Sequence, residues 1–386
     1  MTTKELDSRY VANTYARFPV EITAGKGSLV WDDAGREYID MGTGIAVNTF
    51  GLADGEWVAA VTEQLGKFQH TSNLYYTAPC AELAQMLCER TGMEKVFFGN
   101  SGAEANECAI KAARKWAQDR KGAEYCNIIT LKNSFHGRTL TTLAATGQDV
   151  FHEKFTPLTP GFLYADPAAP ASLEALAAEN KCAAVMFEAV QGEGGVLPLP
   201  PDFVEAMKRV AAEHDLLLIA DEVQVGNGRS GALYGYMNLG LAPDIVTTAK
   251  GLGGGLPIGA CLLGARVKDV LGPGDHGSTF GGNPAACAGA LNVLSRLTDD
   301  VLAGVRERSH CIIRGLSCAQ GVKSVTGMGL MLGIETEKPA AEVVAACREN
   351  GVLVLTAKNK VRLLPALNIP FDLLEKAVAV IRAACV

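Results

Sequence analysis

Apolar and polar positions alternate with two different periods along this chain of 386 residues. Near its start, the segment GSLVWDDAGREYIDMG holds two runs with a period of two on either side of a turn at 32–35, which predicts a β-hairpin. Two stretches with helical spacing follow, over 54–68 and 78–91. The N-terminal region is therefore predicted to form a hairpin and then two helices.

From Val96 the pattern changes to short apolar runs that alternate with helical stretches. The predicted strands are KVFFGN, YCNIITLK, AAVMFEAV, DLLLIADEV, DIVTTAK and GACLLGA. Helices are predicted between several of them, over 103–121 and 202–214. This pattern indicates an α/β fold with a mainly parallel sheet covered by helices on both faces, in which ligands bind at the carboxyl ends of the strands.

The C-terminal part combines helices and strands differently. A long helical region begins near Pro284, and the strand-like segments VKSVTGMGLMLGIE, GVLVL and KVRLLP are followed by a last helix from Phe371. These elements predict a smaller α+β domain with which the N-terminal hairpin packs. We therefore expect a large domain over 46–283 and a small domain formed by 1–45 and 284–386.

Composition narrows the range of functions. The chain has 35 Lys and Arg against 42 Asp and Glu, a net charge of −7, and no basic run, which argues against nucleic-acid or anionic-membrane partners. No apolar stretch approaches the roughly 18–20 residues of a membrane span, and the start lacks the apolar core of a secretory signal. The 11 scattered cysteines and six scattered histidines predict a cytoplasmic protein with reduced thiols and without a metal site.

Four motifs are notable, and two of them lie at the ends of elements. One opens a helix, and the other ends a strand with a carboxylate. Ser101, Gly102 and Ala103 follow the strand KVFF, where a helix start and small residues favour a phosphate; the alternative is a helix start that Ser101 simply caps. Asp221 ends the strand DLLLIA, where a buried carboxylate can hold a protonated ring nitrogen; in isolation, an Asp that caps the next turn is the simpler interpretation.

The other two motifs offer a lysine and an aromatic ring. Lys250 ends the strand DIVTTAK before a glycine-rich run, a position suited to a Schiff base with a carbonyl cofactor; a dinucleotide loop or a surface lysine are the alternatives. Phe135 in FHGR can stack on a flat ring, Arg138 can bind a carboxylate, and His136 is interpreted as structural. Together the four motifs supply the parts that pyridoxal phosphate requires.

The runs SGAEANE, FHGRT, QGEGG, DEVQ, TTAK and HGSTFGGNP carry a resemblance that extends over nearly the whole chain. In these runs the sequence resembles the class III aminotransferases, which are pyridoxal-phosphate enzymes of fold type I. The resemblance implies an enzyme that transfers an ω-amino group, with N-acetylornithine as the favoured donor in arginine biosynthesis and 2-oxoglutarate as the acceptor. The apolar Ile45 supports an acylated donor, since free-ornithine enzymes tend to carry a tyrosine in this stretch.

The resemblance also implies roles for individual residues. Lys250 and Asp221 are the expected catalytic residues, as the cofactor-linking lysine and the partner of the ring nitrogen. The expected cofactor-binding set is Ser101, Gly102, Ala103, Phe135, Glu188, Asp221, Val223, Gln224, Lys250 and Thr279. The expected substrate-binding set is Tyr15, Arg138, Glu193, Ser278 and Arg362. Thr279 is expected to reach the cofactor phosphate of a neighbouring subunit, so that a homodimer shares its active sites.

Several alternatives remain open at this point. Within the class, the donor can instead be succinylornithine, an N-succinyl-diaminopimelate derivative, ornithine or 4-aminobutyrate. An aminomutase of glutamate semialdehyde shares the fold and the lysine, but the apparent pair of Glu193 and Arg362 favours transamination between two substrates. A non-catalytic pyridoxal-phosphate-binding protein and an NAD-dependent dehydrogenase are more distant alternatives, and the chain lacks the G-x-G-x-x-G fingerprint at its glycine-rich run.

Overall fold

A computed structural model describes all residues from 1 to 386. The helices α1 to α13 span Thr3–Tyr10, Thr43–Ala46, Gly55–Lys67, Ala78–Thr91, Gly102–Lys121, Leu140–Ala145, Pro170–Glu179, Pro201–Glu213, Gly235–Asn238, Pro284–Arg296, Asp299–Leu316, Ala340–Glu349 and Phe371–Ala384. The strands β1 to β17 span Ile22–Lys26, Leu29–Asp32, Glu37–Asp40, Lys95–Gly99, Asn127–Leu131, Phe162–Ala165, Cys182–Phe187, Val190–Gln191, Leu197–Pro198, Leu217–Asp221, Ile245–Thr248, Gly259–Leu263, Val322–Met328, Met331–Thr336, Val352–Leu353, Leu355–Ala357 and Lys360–Leu363.

A seven-stranded sheet with the order β4-β12-β11-β10-β7-β5-β6 forms the centre of the molecule. Its strands pair in parallel except β12, which runs antiparallel to both of its neighbours, β11 and β4. The carboxyl ends of the other six strands, β4, β5, β6, β7, β10 and β11, therefore lie at the same edge. The prediction of an α/β fold with a mainly parallel, mixed sheet is confirmed.

Successive residues of the central strands point into two different cores. Ile128 packs in a cluster with the alanine-rich face of α5, whereas the next residue, Ile129, belongs to the larger cluster on the opposite face. Ala184 and Val185 on β7 divide in the same way. Both faces of the sheet are thus buried under helices, which explains why these strands read as continuous apolar runs.

The predicted N-terminal hairpin is present as β2 and β3, which pair antiparallel. Asp32 shapes the turn, because its carboxylate accepts hydrogen bonds from the backbone N–H groups of Ala34 and Arg36. Gly35 takes a positive φ of 77° there. β1 extends this small sheet on one side, and β15 from the C-terminal region pairs in parallel with β3 on the other.

The C-terminal region contains a four-stranded antiparallel sheet in the order β13-β14-β17-β16. Helices α11 and α12 pack beside it, and α13 packs on both of these helices. The pairing of β3 with β15 supports the predicted association of the first 45 residues with this region. The domain boundaries at residues 46 and 284 stay a prediction, and α10, which begins at Pro284, packs against α3 and α4. No helix has the length and apolar character needed to cross a bilayer.

Candidate active site

A cavity of ≈ 610 Å³ opens at this edge, beside the carboxyl ends of five of the six co-directional strands, β4, β5, β7, β10 and β11. Each of these strands delivers a lining residue within four positions of its end. The predicted site residues that line the cavity are Tyr15, Ser101, Gly102, Ala103, Phe135, Arg138, Glu188, Asp221, Val223, Gln224 and Lys250. The structure therefore brings together eleven of the expected residues, from segments that are up to 235 positions apart in the sequence.

Lys250 lies two residues beyond the end of β11 and projects from a short 3₁₀ turn, Lys250–Leu252. Desolvation lowers the pKa of its amine from the ordinary value, while Glu193 and Asp221 oppose that shift through their negative charges. A lower pKa raises the fraction of neutral amine near neutral pH, and the neutral amine is the form that attacks a carbonyl carbon or accepts a proton.

Asp221, the last residue of β10, is buried and rigidly held. Its Oδ2 accepts a hydrogen bond from Nδ2 of Asn106 at 2.8 Å and lies 2.8 Å from Nδ1 of His136. Its Oδ1 accepts from the backbone N–H of Val223 at 3.0 Å. Because an ionised carboxylate only accepts hydrogen bonds, Nδ1 of His136 carries the proton. Three hydrogen bonds thus hold the carboxylate of Asp221 at the wall of the cavity.

The N-terminus of α5 forms another part of the wall. Ser101 is its N-cap, with Oγ accepting a hydrogen bond from the backbone N–H of Glu104 at 3.2 Å. The N–H groups of Gly102 and Ala103 belong to the first turn and have no partner within the helix. A Cβ atom on Gly102 would lie 2.6 Å from Cγ1 of Val223, so only glycine allows the helix start to approach Val223 this closely.

Phe135 and Arg138 lie near each other in the segment after β5. The guanidinium of Arg138 lies 4.4 Å from the ring centroid of Phe151 and 5.4 Å from that of Phe135. The two phenylalanine rings meet edge to face at 5.8 Å between centroids. These cation–π contacts orient an otherwise exposed arginine at the mouth of the cavity, where a carboxylate can reach it.

Glu188 follows β7 and is buried behind Phe135. Its carboxyl oxygens accept hydrogen bonds from the backbone N–H groups of Phe135 at 2.9 Å and Gly192 at 3.1 Å. Burial raises the pKa of Glu188 to about 7; the neighbouring His136 lowers it in part, and Asp221 adds to the rise. Glu188 therefore fixes the backbone that carries Phe135 and gains a proton near neutral pH.

Glu193 and Arg362 form an ion pair, with 2.5 Å between Nη1 and Oε1. Gln224 bridges them, since its Nε2 donates to Glu193 at 3.1 Å and its Oε1 accepts from Arg362 at 3.0 Å. Burial favours a raised pKa for Glu193, but the charge and hydrogen bond of Arg362, together with the charge of Lys250 and the hydrogen bond from Gln224, hold that pKa below the ordinary value. Neither Glu193 nor Arg362 lines the cavity, but Gln224, which hydrogen-bonds to both, does.

Two expected site residues, Ser278 and Thr279, neither line the cavity nor contact the ion pair of Glu193 and Arg362. Ser278 Oγ accepts a hydrogen bond from Asn100 at 3.1 Å and one from the backbone N–H of Gly281 at 3.0 Å, so it shapes its own loop. Thr279 is exposed and does not line the cavity. Ile45 lies in a single left-handed turn over 43–46, is 40 % exposed, and is likewise absent from the cavity wall.

Sequence reasoning missed two residues that organise this site. Asn106 lies one helical turn after Gly102, within the motif SGAEANE, and connects Asp221 with the carbonyl of His136 and the hydroxyl of Thr247. Its position four residues after Gly102 places it on the same face of α5, which was the available signal. Phe151 offered no such signal, because its contact with Arg138 depends on how the loop after α6 folds back.

Comparison with known proteins identifies close relatives. The family described as "Aminotransferase class-III" matches residues 10–385. The acetylornithine aminotransferase of Haemophilus ducreyi is 48 % identical over 380 residues, covering 98 % of this chain and 97 % of that protein. A structure of N-acetylornithine aminotransferase from Stenotrophomonas maltophilia superposes with a TM-score of 0.85 at 37 % identity, covering 98 % and 97 %. A structure of ornithine aminotransferase from Toxoplasma gondii, with partial occupancy of PLP at its active site, gives 0.93 at 32 % identity, covering 99 % and 93 %.

Proposed function

Because the chain belongs to the class III aminotransferases, we propose that it transfers the δ-amino group of N-acetylornithine to 2-oxoglutarate with pyridoxal phosphate as cofactor. The products are N-acetylglutamate semialdehyde and glutamate. The observation that carries this proposal is the convergence of Lys250, Asp221 and the start of α5 on one cavity. The name of the Haemophilus ducreyi relative, which is similar over almost the full length of both chains, supports the choice of donor.

The residues present fit the cofactor. Pyridoxal phosphate carries an aldehyde, a phosphate and a ring nitrogen, and the cavity offers a lysine amine, free N–H groups of a helix start and a fixed carboxylate for these three groups. The missing Cβ at Gly102 keeps the helix start close to Val223, which is expected to pack on the ring. Phe135 is expected on the opposite face of the ring. When bound, the cofactor supplies an electron sink for the substrate carbon that loses a proton.

Asp221 and Lys250 divide the chemistry between them. The donors Asn106, His136 and the N–H of Val223 hold the carboxylate of Asp221 in place, where it would accept a hydrogen bond from a protonated ring nitrogen. The lowered pKa of Lys250 allows its amine to link to the cofactor and, once released, to move a proton to and from the substrate. Glu188 holds Phe135 in position, because its carboxyl oxygen accepts a hydrogen bond from the backbone N–H of Phe135.

The ion pair of Glu193 and Arg362 accounts for the use of two different substrates. Arg362 is only 3 % exposed, so its charge needs a partner at every stage of the reaction. Glu193 is that partner while the ω-amino group of the donor occupies the site. The distal carboxylate of glutamate or 2-oxoglutarate replaces Glu193 in the other half-reaction, and Gln224 guides the exchange through its bonds to both residues. Arg138 is expected to bind the α-carboxylate, with Tyr15 at the rim of the pocket.

We also propose that two copies of the chain form a homodimer that shares its active sites. The large side chains of Leu74, Tyr75, Tyr76 and Phe280 are exposed, and the amide of Asn73 donates to the carbonyls of Ser278 and Gly281. This hydrogen bonding joins the 73–76 segment to the loop of Thr279. An apolar surface of this kind is typical of a subunit interface, and it presents Thr279 outward toward the phosphate site of a second copy.

A comparison of amino donors tests the choice of substrate. The holoenzyme is mixed with N-acetylornithine, N-succinylornithine, ornithine or 4-aminobutyrate, with 2-oxoglutarate as acceptor, and kcat/KM is measured for each. The proposal expects the highest value for N-acetylornithine. A higher value for ornithine or 4-aminobutyrate would leave the family unchanged and overturn the proposed donor. The I45Y variant tests the role expected for Ile45. Its ratio of kcat/KM for N-acetylornithine to kcat/KM for ornithine should be lower than that of the wild type.

A further inference from the structure

The backbone of Lys250 adopts an uncommon conformation. Its φ is 44°, in the left-handed region that non-glycine residues rarely occupy. Such a conformation persists only where the surrounding structure holds it in place, and it is found most often at functional sites. The turn that contains it, Ala249–Gly253, is named the lysine turn here. Its internal bonds run from the N–H of Leu252 to the carbonyl of Ala249 and from the N–H of Gly253 to that of Lys250.

Two buried polar side chains hold this turn from outside. Nδ2 of Asn227 donates to the carbonyl of Ala249 at 3.1 Å and to Oγ1 of Thr248 at 2.9 Å. Oγ1 of Thr49 donates to the carbonyl of Gly251 at 2.7 Å. Asn227 is 3 % exposed and Thr49 2 % exposed. The two contacts therefore restrain the carbonyl groups immediately before and immediately after Lys250.

The packing around Gly251 shows how closely these two residues enclose the turn. A Cβ atom at Gly251 would lie 2.9 Å from Oγ1 of Thr49 and 3.4 Å from Cβ of Asn227. Asn227 belongs to the segment that follows Asp221 and Gln224, whereas Thr49 belongs to the N-terminal segment after the hairpin. Parts of the chain that are distant in sequence thus converge on the same three residues.

We propose that Asn227 and Thr49 are positioning residues, which maintain the left-handed backbone of Lys250 and thereby direct its amine into the cavity. This inference rests on the proposed function, in which Lys250 links the cofactor and moves a proton. Proton transfer depends on short distances, and a displacement of about 1 Å can slow a reaction roughly 100-fold. Neither side chain needs to touch the substrate for this effect, because both act on the backbone of the lysine turn.

Hydrogen exchange of the cofactor-free protein tests the structural part of the proposal. In the N227G variant the backbone keeps access to a positive φ and loses the amide, and the N227D variant keeps the shape but has no donor. T49V removes the hydroxyl at similar volume. We expect the amides of Leu252 and Gly253 to exchange roughly 5- to 10-fold faster in all three variants, since each loses one buried hydrogen bond to the lysine turn. Wild-type exchange rates in all three would overturn the proposal.

Steady-state kinetics of the holoenzyme test the functional part. We expect kcat to fall about 10- to 100-fold in N227D and T49V with little change in KM, because the substrate contacts remain. T49S retains the hydroxyl and should recover most of the wild-type kcat. T336V is the matched control, since Thr336 is a buried threonine that donates to the backbone carbonyl of Lys338 at 2.7 Å and does not line the cavity. It should alter neither the exchange of the lysine turn nor kcat.

The outcomes separate this inference from the proposed function. Faster exchange together with a lower kcat supports the positioning role. Faster exchange with wild-type kcat would overturn it, and so would an equal loss of kcat in T336V, because the effect would then reflect general destabilisation. Failure of the proposed function would instead be evident in the unsubstituted chain, as absent turnover with every amino donor, while the exchange results would still report on the lysine turn.

Discussion

At the scale of single residues, an acidic side chain, Asp221, and a basic side chain, Lys250, lie at the ends of neighbouring strands, and their environments differ. Asp221 pairs with Thr247 across β10 and β11, and Lys250 follows three residues later. The carboxylate is held by three hydrogen bonds, whereas desolvation disfavours the charged form of the lysine and lowers its pKa. The same cavity therefore holds a fixed carboxyl group and an amine with a lowered pKa, which suits a lysine nucleophile.

Removal of the carboxylate of Asp221 should slow turnover strongly, and removal of one of its hydrogen-bond donors should slow turnover less. D221N retains the shape but not the charge, and we expect kcat to fall at least about 100-fold. N106A removes one donor to a charged group, and we expect a fall of about 10- to 100-fold. N180A is the control, because the side chain of Asn180 donates to the carbonyl of Leu176 in α7 at 3.0 Å and does not line the cavity. Rates of D221N near the wild-type value would contradict the role assigned to this carboxylate.

The buried Glu188 should give the cofactor-free protein a characteristic pH dependence. Its pKa of about 7 lies above the ordinary value of 4.5, so the folded state binds this proton more tightly than the unfolded state. The contribution of Glu188 to stability is therefore greatest below about pH 4.5 and decreases as the pH rises to about 7. Relative to E188Q, the wild-type free energy of unfolding should fall by up to about 3 kcal/mol between pH 4.5 and 8.

Chemical denaturation of both proteins at several pH values measures this difference directly. Comparing wild type with E188Q removes the contributions of the other titratable groups, which the two proteins share. A difference that stays constant from pH 4.5 to 8 would show that Glu188 is already charged throughout this range.

Residues next to strand ends were predictable from the sequence, and residues that act across elements were less so. Lys250, Asp221, Phe135 and Glu188 all follow apolar runs, and the direction of parallel strands brings them to one edge. The hydrogen bonds of Asn227 to Ala249 and of Thr49 to Gly251 depend on the packing of distant segments, which hydrophobic periodicity does not encode. The roles of the expected site residues stay predictions that the experiments described here test.

At the scale of elements, the start of α5 is the feature with the narrowest tolerance. Ser101 caps the helix, Gly102 permits its approach to Val223, and the first N–H groups remain available to an anion. We expect G102A to force the helix start and Val223 apart, because the new Cβ would lie 2.6 Å from Cγ1 of Val223. Overpacking of this kind costs about 1–3 kcal/mol, equivalent to a roughly 5- to 150-fold weaker affinity for pyridoxal phosphate.

Titration of the cofactor-free variants with pyridoxal phosphate measures that affinity. The double variant G102A/V223A removes the two methyl groups that the new Cβ would meet, so it should bind the cofactor more tightly than G102A alone. Equal affinities of G102A and the wild type would show that the close approach of α5 does not contribute to cofactor binding.

Long elements with a clear period were predicted well, whereas the edge strand β6 and the short helix α6 were not predicted. The hairpin and helices α3, α4, α5 and α8 agree with their predicted ranges to within about two residues. The edge strand β6 has only four residues, and the short helix α6 has six, so neither spans enough positions to show a period. The antiparallel direction of β12 was also not predictable in detail, because an apolar run reads the same in both directions.

At the scale of the whole molecule, one chain accounts for most of the site but not for all of it. Thr279 is exposed, and the surface beside it is apolar. The proposed homodimer explains both observations, because a second copy would cover the apolar surface and receive Thr279 at its phosphate site.

Complementation between two inactive variants tests the shared site. K250A and T279A homodimers should both have low activity, each lacking one part of both sites. Coexpression gives mixed dimers in which the subunit with Lys250 receives Thr279 from its K250A partner, so one of the two sites is complete. We expect these mixed dimers to approach half of the wild-type kcat. Activity no higher than that of the separate homodimers would contradict the exchange of Thr279 between subunits.

The most direct test of the central claim is to locate the bound cofactor covalently. The holoenzyme is reduced with borohydride, which makes a link between a lysine and pyridoxal phosphate permanent, and its peptides are then analysed by mass spectrometry. The account predicts that the cofactor mass is found on Lys250 and that K250A, folded as judged by circular dichroism, carries none. A label on another lysine, or an unlabelled Lys250 in the active enzyme, would contradict it.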